Sequence, residues 1–360
     1  MGPLADLKII EFAGIGPAPM CGMLLADQGA NVLRIERPQG GSSPPDHRRG
    51  ANVLQRGKIC LVLDLKVPES VEKVLSLVAH ADALIEGFRP GVTERLGLSP
   101  AVCHARNKAL VYGRMTGWGQ TGPLAQSAGH DLNYIALTGA LHAIGRVNQA
   151  PTPPLNLVGD FGGGALYLAF GLLAAILEAR RSGHGQVIDA AMVDGVTSLM
   201  TTYYGGLTAG QINVERGTNL LDSGAPFYDV YECADGKFVA VAAIEPEFFA
   251  ILLRELGLDA AQLPAQMDRT GWPLLRKTLA ERFASLTRDA WADRLATVDA
   301  CVVPVLSPLE APLHPHLRDR KCFIEAKGGI QAAPAPRFSR SSGAREHHSN
   351  DTAMAAWGLT

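Results

Sequence analysis

The amino-acid sequence predicts an α/β protein built on a parallel, doubly wound sheet. Leu7–Phe12 is a short apolar run typical of a buried strand, Met20–Leu25 opens a helix that Gly29 ends, and Val32–Ile35 is a second strand. A strand, a helix and a strand in succession form a β-α-β unit, whose two strands are parallel. The strand pattern then recurs at residues 59–63, 83–86 and 110–114, with a helical pattern at 70–79.

The pattern of apolar residues changes in the second half of the chain, where it predicts a smaller α+β domain. Residues 160–210 are mostly helical, with a short strand at Val187–Ala190. Asp235-Gly236 lies between the apolar runs Tyr228–Glu232 and Phe238–Ala243, which is a hairpin signal. Amphipathic helical patterns follow at residues 247–256 and 272–286. We therefore expect a small α+β domain over residues 225–310.

Length, composition and charge exclude several classes of protein. The 360 residues are 47% hydrophobic, which is enough for a large core, and the net charge of -2 shows no nucleic-acid footprint. The six cysteines form no CxxC pair, so we expect neither a structural zinc site nor any other metal. The start of the chain lacks a secretory pattern, which favours a cytoplasmic protein. The longest apolar run, Phe161–Leu177, is interrupted by glycines and predicts a buried core helix rather than a membrane span.

Two short motifs imitate nucleotide-binding signatures and fail on inspection. Gly14-Ile15-Gly16 follows the first strand and Glu36 follows the second, but Pro19 occupies the place of the third glycine of a dinucleotide fingerprint. Asp160-Phe161-Gly162 matches a kinase metal motif, yet no catalytic His-Arg-Asp loop accompanies it. Neither a nicotinamide, a flavin nor a kinase site is expected.

A histidine and three carboxylates stand at positions suited to acid–base chemistry. His130-Asp131 and Asp160 each precede an apolar helical run, and Glu245-Pro246 follows an apolar strand. A buried histidine and carboxylate on opposite faces of a carbon can take a proton from one face and return one to the other. The simpler interpretations are a structural histidine, two helix N-caps at Asp131 and Asp160, and a solvated acid at Glu245.

Basic residues follow the predicted strands. Arg37, Lys66, Arg89 and Arg95 each come after a strand or at the start of a helix. Ligands of α/β sheets bind at the carboxyl ends of the strands, so these side chains suit a phosphate-bearing ligand. Surface solvation is the alternative interpretation for each of them.

Longer motifs extend these observations over almost the whole chain. They are Glu11–Pro17, Asp64–Lys66, Ile85–Val92, Met115–Pro123, Gly129–Asp131, Asn156–Gly164, Gly185–Gly195 and Asp222–Tyr228. By these runs the chain resembles the alpha-methylacyl-CoA racemases, within the formyl-CoA transferase superfamily (class III CoA-transferases). The features typical of the racemases are His130 before Asp131, the Asn156–Asp160 run, and Glu245 in an Ala-Ile-Glu-Pro sequence.

The resemblance implies an enzyme that interconverts the two configurations at C2 of 2-methylacyl-CoA thioesters. The reaction would be a 1,1-proton transfer through an enolate, with no metal or redox cofactor. His130 paired with Glu245 would be one base and Asp160 the other, supported by Asn156 and by the backbone N–H of Asp131. The CoA contacts it implies are Arg37, Leu63, Lys66, Gly87, Phe88, Arg89, Arg95, Gly129 and Tyr134.

The resemblance also implies an interlocked homodimer. A large Rossmann-like domain would comprise residues 1–200, completed by 325–360, and linkers at 201–224 and 311–324 would join it to the small domain. The active site would lie between the large domain of one subunit and the small domain of the other. Glu245 would then complete the partner's site.

Two other functions fit part of the pattern. A class III CoA-transferase would use Asp131 as its nucleophile, although such enzymes usually carry an aromatic residue at the position of His130. A non-catalytic acyl-CoA-binding protein would be expected to lack one of His130, Asp160 and Glu245, and all three are present. The natural acyl chain stays open between branched fatty acyl, sterol side-chain and aryl-propionyl groups.

Overall fold

The computed structural model describes residues 2–38, 53–326, 329–341, 354–355 and 357–359. Its strands are β1 (Lys8–Phe12), β2 (Asn31–Glu36), β3 (Lys58–Val62), β4 (Ala83–Glu86), β5 (Val111–Thr116), β6 (Val187–Ala191), β7 (Tyr228–Glu232), β8 (Phe238–Ala242), β9 (Val302–Pro304), β10 (Phe323–Ala326) and β11 (Gly329–Ala332). Its α-helices are α1 (Pro17–Asp27), α2 (Pro68–Val78), α3 (Val92–Arg95), α4 (Pro100–Arg106), α5 (Asp131–Leu137), α6 (Ala140–Ala143), α7 (Tyr167–Ser182), α8 (Met192–Leu199), α9 (Thr201–Thr208), α10 (Pro246–Leu256), α11 (Trp272–Phe283), α12 (Arg288–Leu295) and α13 (Pro315–Asp319). A π-helix, Leu157–Leu166, precedes α7 directly.

The chain divides into two compact units. The first unit comprises Met1–Thr138, Pro154–Thr201 and Lys321–Thr360, and the second comprises Gly139–Pro153 and Thr202–Arg320. Residues 139–153, which the sequence places inside the large domain, therefore cluster with the second unit, as do most residues of the two predicted linkers. Part of the predicted 325–360 completion lies outside the described residues, and the predicted domain boundaries stay a prediction.

The first unit is built on a six-stranded sheet of order β3-β2-β1-β4-β5-β6. All five neighbouring pairs are parallel, which confirms the predicted α/β class. Because successive side chains of a strand point to opposite faces, Ile9 of β1 joins a core with α1 and α7, whereas Ile10 joins a core with α2. The strand order reverses between β1 and β4, and such a switch point is where α/β sheets bind ligands.

Helix α1 contacts the sheet through Gly22. A Cβ on Gly22 would lie 1.8 Å from Oε2 of Glu11, so the helix can approach β1 only because this residue is glycine. The Glu11 carboxylate is fully buried and pairs with Lys58, at 2.5 Å, and with Arg34, at 2.8 Å. Lys58 also donates to the carbonyl of Pro19 in α1. This ion cluster ties β1, β2 and β3 to the helix that follows β1.

The apolar run of the sequence forms two different kinds of helix. Residues predicted as one core helix from Phe161 begin as the π-helix and continue as α7. Asp160, expected as a possible N-cap, is the fourth residue of the π-helix instead, and Asn156 holds the cap position. That interpretation of Asp160 was wrong because the helix begins earlier than the apolar run.

One helical stretch among the described residues, Leu157–Ser182, is long and apolar enough to cross a membrane by length and composition. Its buried side chains belong to the core of the first unit, where Leu168 and Leu172 lie over Gly113 of β5. That packing favours the interpretation as a core helix of the sheet.

The second unit is an antiparallel sheet, β7-β8-β9, packed against helices. Gly236 adopts a φ of 72° in the turn between β7 and β8, which confirms the Asp-Gly hairpin. Its core joins Tyr231 and Val239 of the sheet to Leu252, Leu279 and Trp291 of α10, α11 and α12. The predicted small α+β unit is therefore present.

The π-helix and α8 touch through glycines on both sides. A Cβ on Gly195 would lie 1.9 Å from the carbonyl oxygen of Gly163, and a Cβ on Gly163 would lie 2.6 Å from the Val196 side chain. At this crossing neither Gly163 nor Gly195 has room for a side chain of its own.

We expect Gly195→Ala to destabilise the protein by about 1–3 kcal/mol, because the added methyl must push the two helices apart. The matched control is Gly205→Ala in α9, where no heavy atom lies within 4 Å of the built Cβ. The control should be neutral or stabilising by roughly 0.5–1 kcal/mol, since alanine restricts the unfolded chain. Urea unfolding measures both, and equal midpoints for the two variants would contradict the close crossing.

Candidate active site

A cavity of about 400 Å³ opens at the switch point of the sheet. Loops that follow β1, β4 and β5 form most of its wall, and α5, the π-helix and α8 complete it. The lining residues are Ile15–Ala18, Gly87–Pro90, Met115–Trp118, Ala125, Ser127–His130, Tyr134, Asp160 and Met192. The cavity therefore brings His130 and Asp160 to one site, within the first unit.

Asp160 is half-buried and its carboxyl group is held from several sides. Its Oδ2 accepts a hydrogen bond from the Asn156 amide, at 3.3 Å, and lies 3.2 Å from a Cβ built on Gly16. Burial raises the pKa of Asp160 most, and the negative charge of Asp131 adds to the rise. The Asn156 hydrogen bond and the charge of His130 lower that pKa and oppose the rise in part. The net direction is upward, as a group that must carry a proton requires.

Asp131 lies behind Asp160 and fixes its backbone. Its Oδ1 accepts the backbone N–H of Asp160 at 2.6 Å, and the residue is only 8% exposed. A Cβ on Gly159 would lie 2.4 Å from the same oxygen, so the π-helix meets α5 at a glycine. The second oxygen, Oδ2, is buried and has no hydrogen-bond partner in the described structure. Asp131 is not among the residues that line the cavity.

His130 stands at the N-cap of α5 with its residue exposed. Its backbone N–H donates to Oδ1 of Asn133, at 3.0 Å, and its carbonyl accepts the backbone N–H of Asn133, at 2.8 Å. The expectation of a fully buried pair is therefore corrected: Asp160 is half-buried, and His130 lies at the open side of the cavity. Helix α5 is short, so the cap contacts rather than the helix body fix its first residues.

Tyr134 forms one wall of the cavity. Its hydroxyl donates to the carbonyl of Gly129 at 2.5 Å, and its ring meets the Trp118 ring edge-on at 4.8 Å. A Cβ on Gly117 would lie 2.0 Å from that ring, so Gly117 leaves the space that the tyrosine fills. The predicted contacts Gly129 and Tyr134 thus both reach the cavity.

The turn Gly87–Arg89 is braced from below by a buried carboxylate. Glu86 is fully buried, accepts the backbone N–H of Phe88 at 2.7 Å and pairs with Arg114 at 2.9 Å. Burial raises the pKa of Glu86, while the hydrogen bonds from Phe88 and Arg114 oppose the rise. Arg89 is exposed at the tip of this turn, and all three predicted residues of the turn line the cavity.

Several predicted site residues do not line the cavity. Arg37 follows β2, Leu63 and Lys66 follow β3, and Arg95 ends α3, so they share the carboxyl edge of the sheet with the cavity loops. Asn156 acts on the site through Asp160. Glu245 belongs to the second unit, where it is exposed at the N-cap of α10 and makes no capping hydrogen bond. Their predicted roles stay predictions.

Several residues of the cavity wall were not predicted from the sequence. Ile15 and Pro17 border the cavity after β1, Trp118 after β5, and Met192 at the start of α8. Each belongs to a run on which the resemblance rests, but a sequence motif does not tell which side chain points inward. In the described part of the chain, no group of three or more His, Cys, Asp and Glu residues could hold a metal ion.

Comparison with known proteins decides the family of this site. The sequence model of CoA-transferase family III matches residues 4–350. The chain belongs to CoA-transferase family III.

Relatives within family III include racemases. The alpha-methylacyl-CoA racemase of Mus musculus is 45% identical over 339 residues, which cover 94% of this chain and 87% of the relative. The alpha-methylacyl-CoA racemase of Homo sapiens is 42% identical over 334 residues, covering 92% and 86%. The crystal structure of a CAIB/BAIF family protein from Brucella suis superposes with a TM-score of 0.82 at 26% identity, covering 99% of each chain.

Asp131→Asn should lower the pKa of Asp160. The amide oxygen can still accept the Asp160 N–H, but the like charge that helps to raise this pKa is gone. Carboxyl ¹³C NMR titration of Asp160, assigned with Asp160→Asn, measures the change. Asp64→Asn, at an exposed carboxylate after β3, is the control and should leave Asp160 unchanged. An unshifted Asp160 in the Asp131 variant would show that the two carboxylates do not interact.

Proposed function

We propose that this protein is a racemase that interconverts (2R)- and (2S)-2-methylacyl-CoA thioesters. The observation that carries the proposal is a histidine and a carboxyl group of raised pKa on one cavity at the switch point of the sheet. The mouse and human relatives, at 45% and 42% identity, are alpha-methylacyl-CoA racemases, which supports the same reaction. The natural acyl chain is not part of the proposal.

The reaction needs two groups that hold one exchangeable proton between them. With His130 neutral and Asp160 protonated, His130 takes the C2 proton of one enantiomer and Asp160 delivers a proton to the opposite face. With His130 protonated and Asp160 ionised, the reverse direction runs. An aspartate of ordinary pKa is a poor proton donor near neutral pH, and the raised pKa of Asp160 shifts this carboxyl toward the protonated form that one direction needs.

The thioester enolate and the CoA group need their own contacts. The predicted donor to the enolate oxygen is the backbone N–H of Asp131, which follows the cavity residue His130 at the start of α5 although Asp131 itself does not line the cavity. Asn156 supports Asp160. Arg89 on the braced turn, with Gly87, Phe88, Gly129 and Tyr134, would contact CoA at the cavity. Arg37, Leu63, Lys66 and Arg95 would extend that contact along the sheet edge, where cations suit phosphate groups.

The CoA-transferase alternative is less well supported by the geometry. A nucleophilic Asp131 would have to reach the thioester carbonyl, but it is 8% exposed and outside the cavity lining. One of its oxygens already binds the Asp160 N–H. Family membership fits both reactions, whereas the site favours proton transfer.

The proposal includes an interlocked homodimer in which Glu245 of one subunit pairs with His130 of the other. Glu245 is exposed and its side chain does not cap α10, so its carboxylate is available to a partner. The reaction as proposed uses groups of the protein alone, with no added cofactor. The cysteines of the described residues are unpaired, which suits a reducing, cytoplasmic location.

Asp160→Asn should abolish racemisation and leave acyl-CoA binding largely intact. The asparagine keeps the size of the side chain but cannot carry the exchangeable proton. The assay incubates one enantiomer of a 2-methylacyl-CoA in D₂O without acceptor acid and follows deuterium at C2 and enantiomeric purity. His130→Ala should fail in the same way, whereas Asp194→Asn, at an exposed carboxylate of α8, should behave as wild type.

Racemisation that survives the Asp160 change would refute the two-base scheme. An unchanged thioester with wild-type protein, followed by CoA exchange when a free carboxylic acid is added, would instead favour the transferase.

Shared active sites should be revealed by complementation between two inactive chains. His130→Ala and Glu245→Gln chains, co-expressed with different tags and purified through both, form mixed dimers. One site of each mixed dimer would then combine an intact His130 with an intact Glu245, giving about half the wild-type activity. If each site lay within one subunit, both sites would carry a defect and the mixed dimer would be as inactive as its parents.

A further inference from the structure

A second cavity, of about 680 Å³, lies in the second unit. Three arginines line it, Arg146, Arg269 and Arg276, together with polar groups of Thr218 and Ser223. No acidic side chain stands among the described residues of its lining. The proposed racemase reaction makes no use of this cavity.

Two of the arginines share a single carboxylate. Asp229 of β7 is buried, and its oxygens accept from Arg146 at 2.8 and 3.2 Å and from Arg276. Another nitrogen of Arg276 donates to the carbonyls of Ser223 and Gly224, at 2.8 and 2.7 Å. One carboxylate thus faces two guanidinium groups. The cluster of Asp229, Arg146 and Arg276 therefore keeps a net positive charge at the cavity wall.

The third arginine adds a cation without an ion pair. Arg269 lies over the ring of Trp272, with its guanidinium carbon 5.5 Å from the ring centroid. Its guanidinium donates one long hydrogen bond, to the carbonyl of Gln211 at 3.5 Å, and no carboxylate pairs with it in the described structure. The ring below is fixed, because the Trp272 indole donates to the carbonyl of Gln266 at 2.9 Å. Arg269 therefore lies over a fixed ring, and in the described structure its guanidinium has one long hydrogen bond and no ion pair.

We propose that this cavity binds a small organic oxyanion, a phosphate or a carboxylate, through Arg269 and the exposed sides of Arg146 and Arg276. Guanidinium groups bind such anions through paired, charge-assisted hydrogen bonds. The volume is in the range of small-molecule sites, so a metabolite that carries the anion fits better than the bare ion alone. Asp229 holds Arg146 and Arg276 in position. Its negative charge also balances part of their positive charge when no ligand is bound.

Isothermal titration calorimetry of the full-length protein with inorganic phosphate and, separately, with succinate tests the proposal at constant ionic strength. Arg269→Gln removes one cation without touching the Asp229 contacts and should weaken binding about tenfold or more, as expected for a charge-assisted hydrogen bond. Arg254→Gln is the matched control, an exposed arginine of the same unit that pairs with Glu255. Arg89→Gln distinguishes anion binding at the second cavity from any anion binding at the first cavity.

Binding that Arg269→Gln weakens, and that Arg254→Gln and Arg89→Gln leave unchanged, supports the site. Heat with phosphate alone identifies a phosphate ligand, and heat with succinate alone identifies a carboxylate. No heat with either anion, equal affinity in Arg269→Gln, or the loss of all anion binding in Arg89→Gln would overturn it. The indole N–H resonance of Trp272 in the wild-type protein gives a second readout, since anion binding at Arg269 should shift it without any substitution.

Discussion

The site depends on one constraint: the π-helix must contact its neighbours through its backbone, with no side chain of its own at the points of contact. Gly159 lets it meet the Asp131 carboxylate, and Gly163 and Gly195 let it cross α8. At Gly164 a Cβ would lie 2.9 Å from the Pro17 side chain, so the start of α1 is also in contact. A single short segment thereby joins α1, α5 and α8 around Asp160. The wide turn of a π-helix, common at functional sites, presents this carboxyl to the cavity.

The same closeness sets the electrostatics. The Asp131 side chain is buried and accepts a hydrogen bond from the backbone N–H of Asp160, so the two carboxyl groups lie close together. Burial and this like charge raise the pKa of Asp160, while Asn156 and His130 hold the rise in check. A proton donor that must become a base in the reverse reaction needs this balance, because a permanently ionised or permanently protonated group works in one direction only.

Strands and hairpin could be predicted from the sequence because their signals are local. The apolar run at β1 and the Asp-Gly turn before β8 need no knowledge of distant residues. The π-helix could not be predicted, since its glycines look like interruptions of an ordinary helix until their contacts are known. The side of the cavity that Trp118 and Met192 form depends on tertiary packing, and so does the clustering of residues 139–153 with the second unit. The local sequence made His130 and Asp160 candidates for acid–base chemistry, but it left a structural histidine and a helix N-cap as the simpler interpretations. Their roles as the two bases came from the resemblance.

The position of Asp131 separates two chemistries that one family can support. For acyl transfer its carboxylate would have to reach the cavity as a nucleophile from a buried position outside the cavity lining. Its Oδ1 is held there by the backbone N–H of Asp160. Proton transfer needs none of this movement, because His130 and Asp160 already line the cavity while Asp131 stays behind them. In this chain the Asp131 carboxylate thus holds the backbone of the acid–base residue Asp160 in place. The site as folded therefore favours racemisation over acyl transfer.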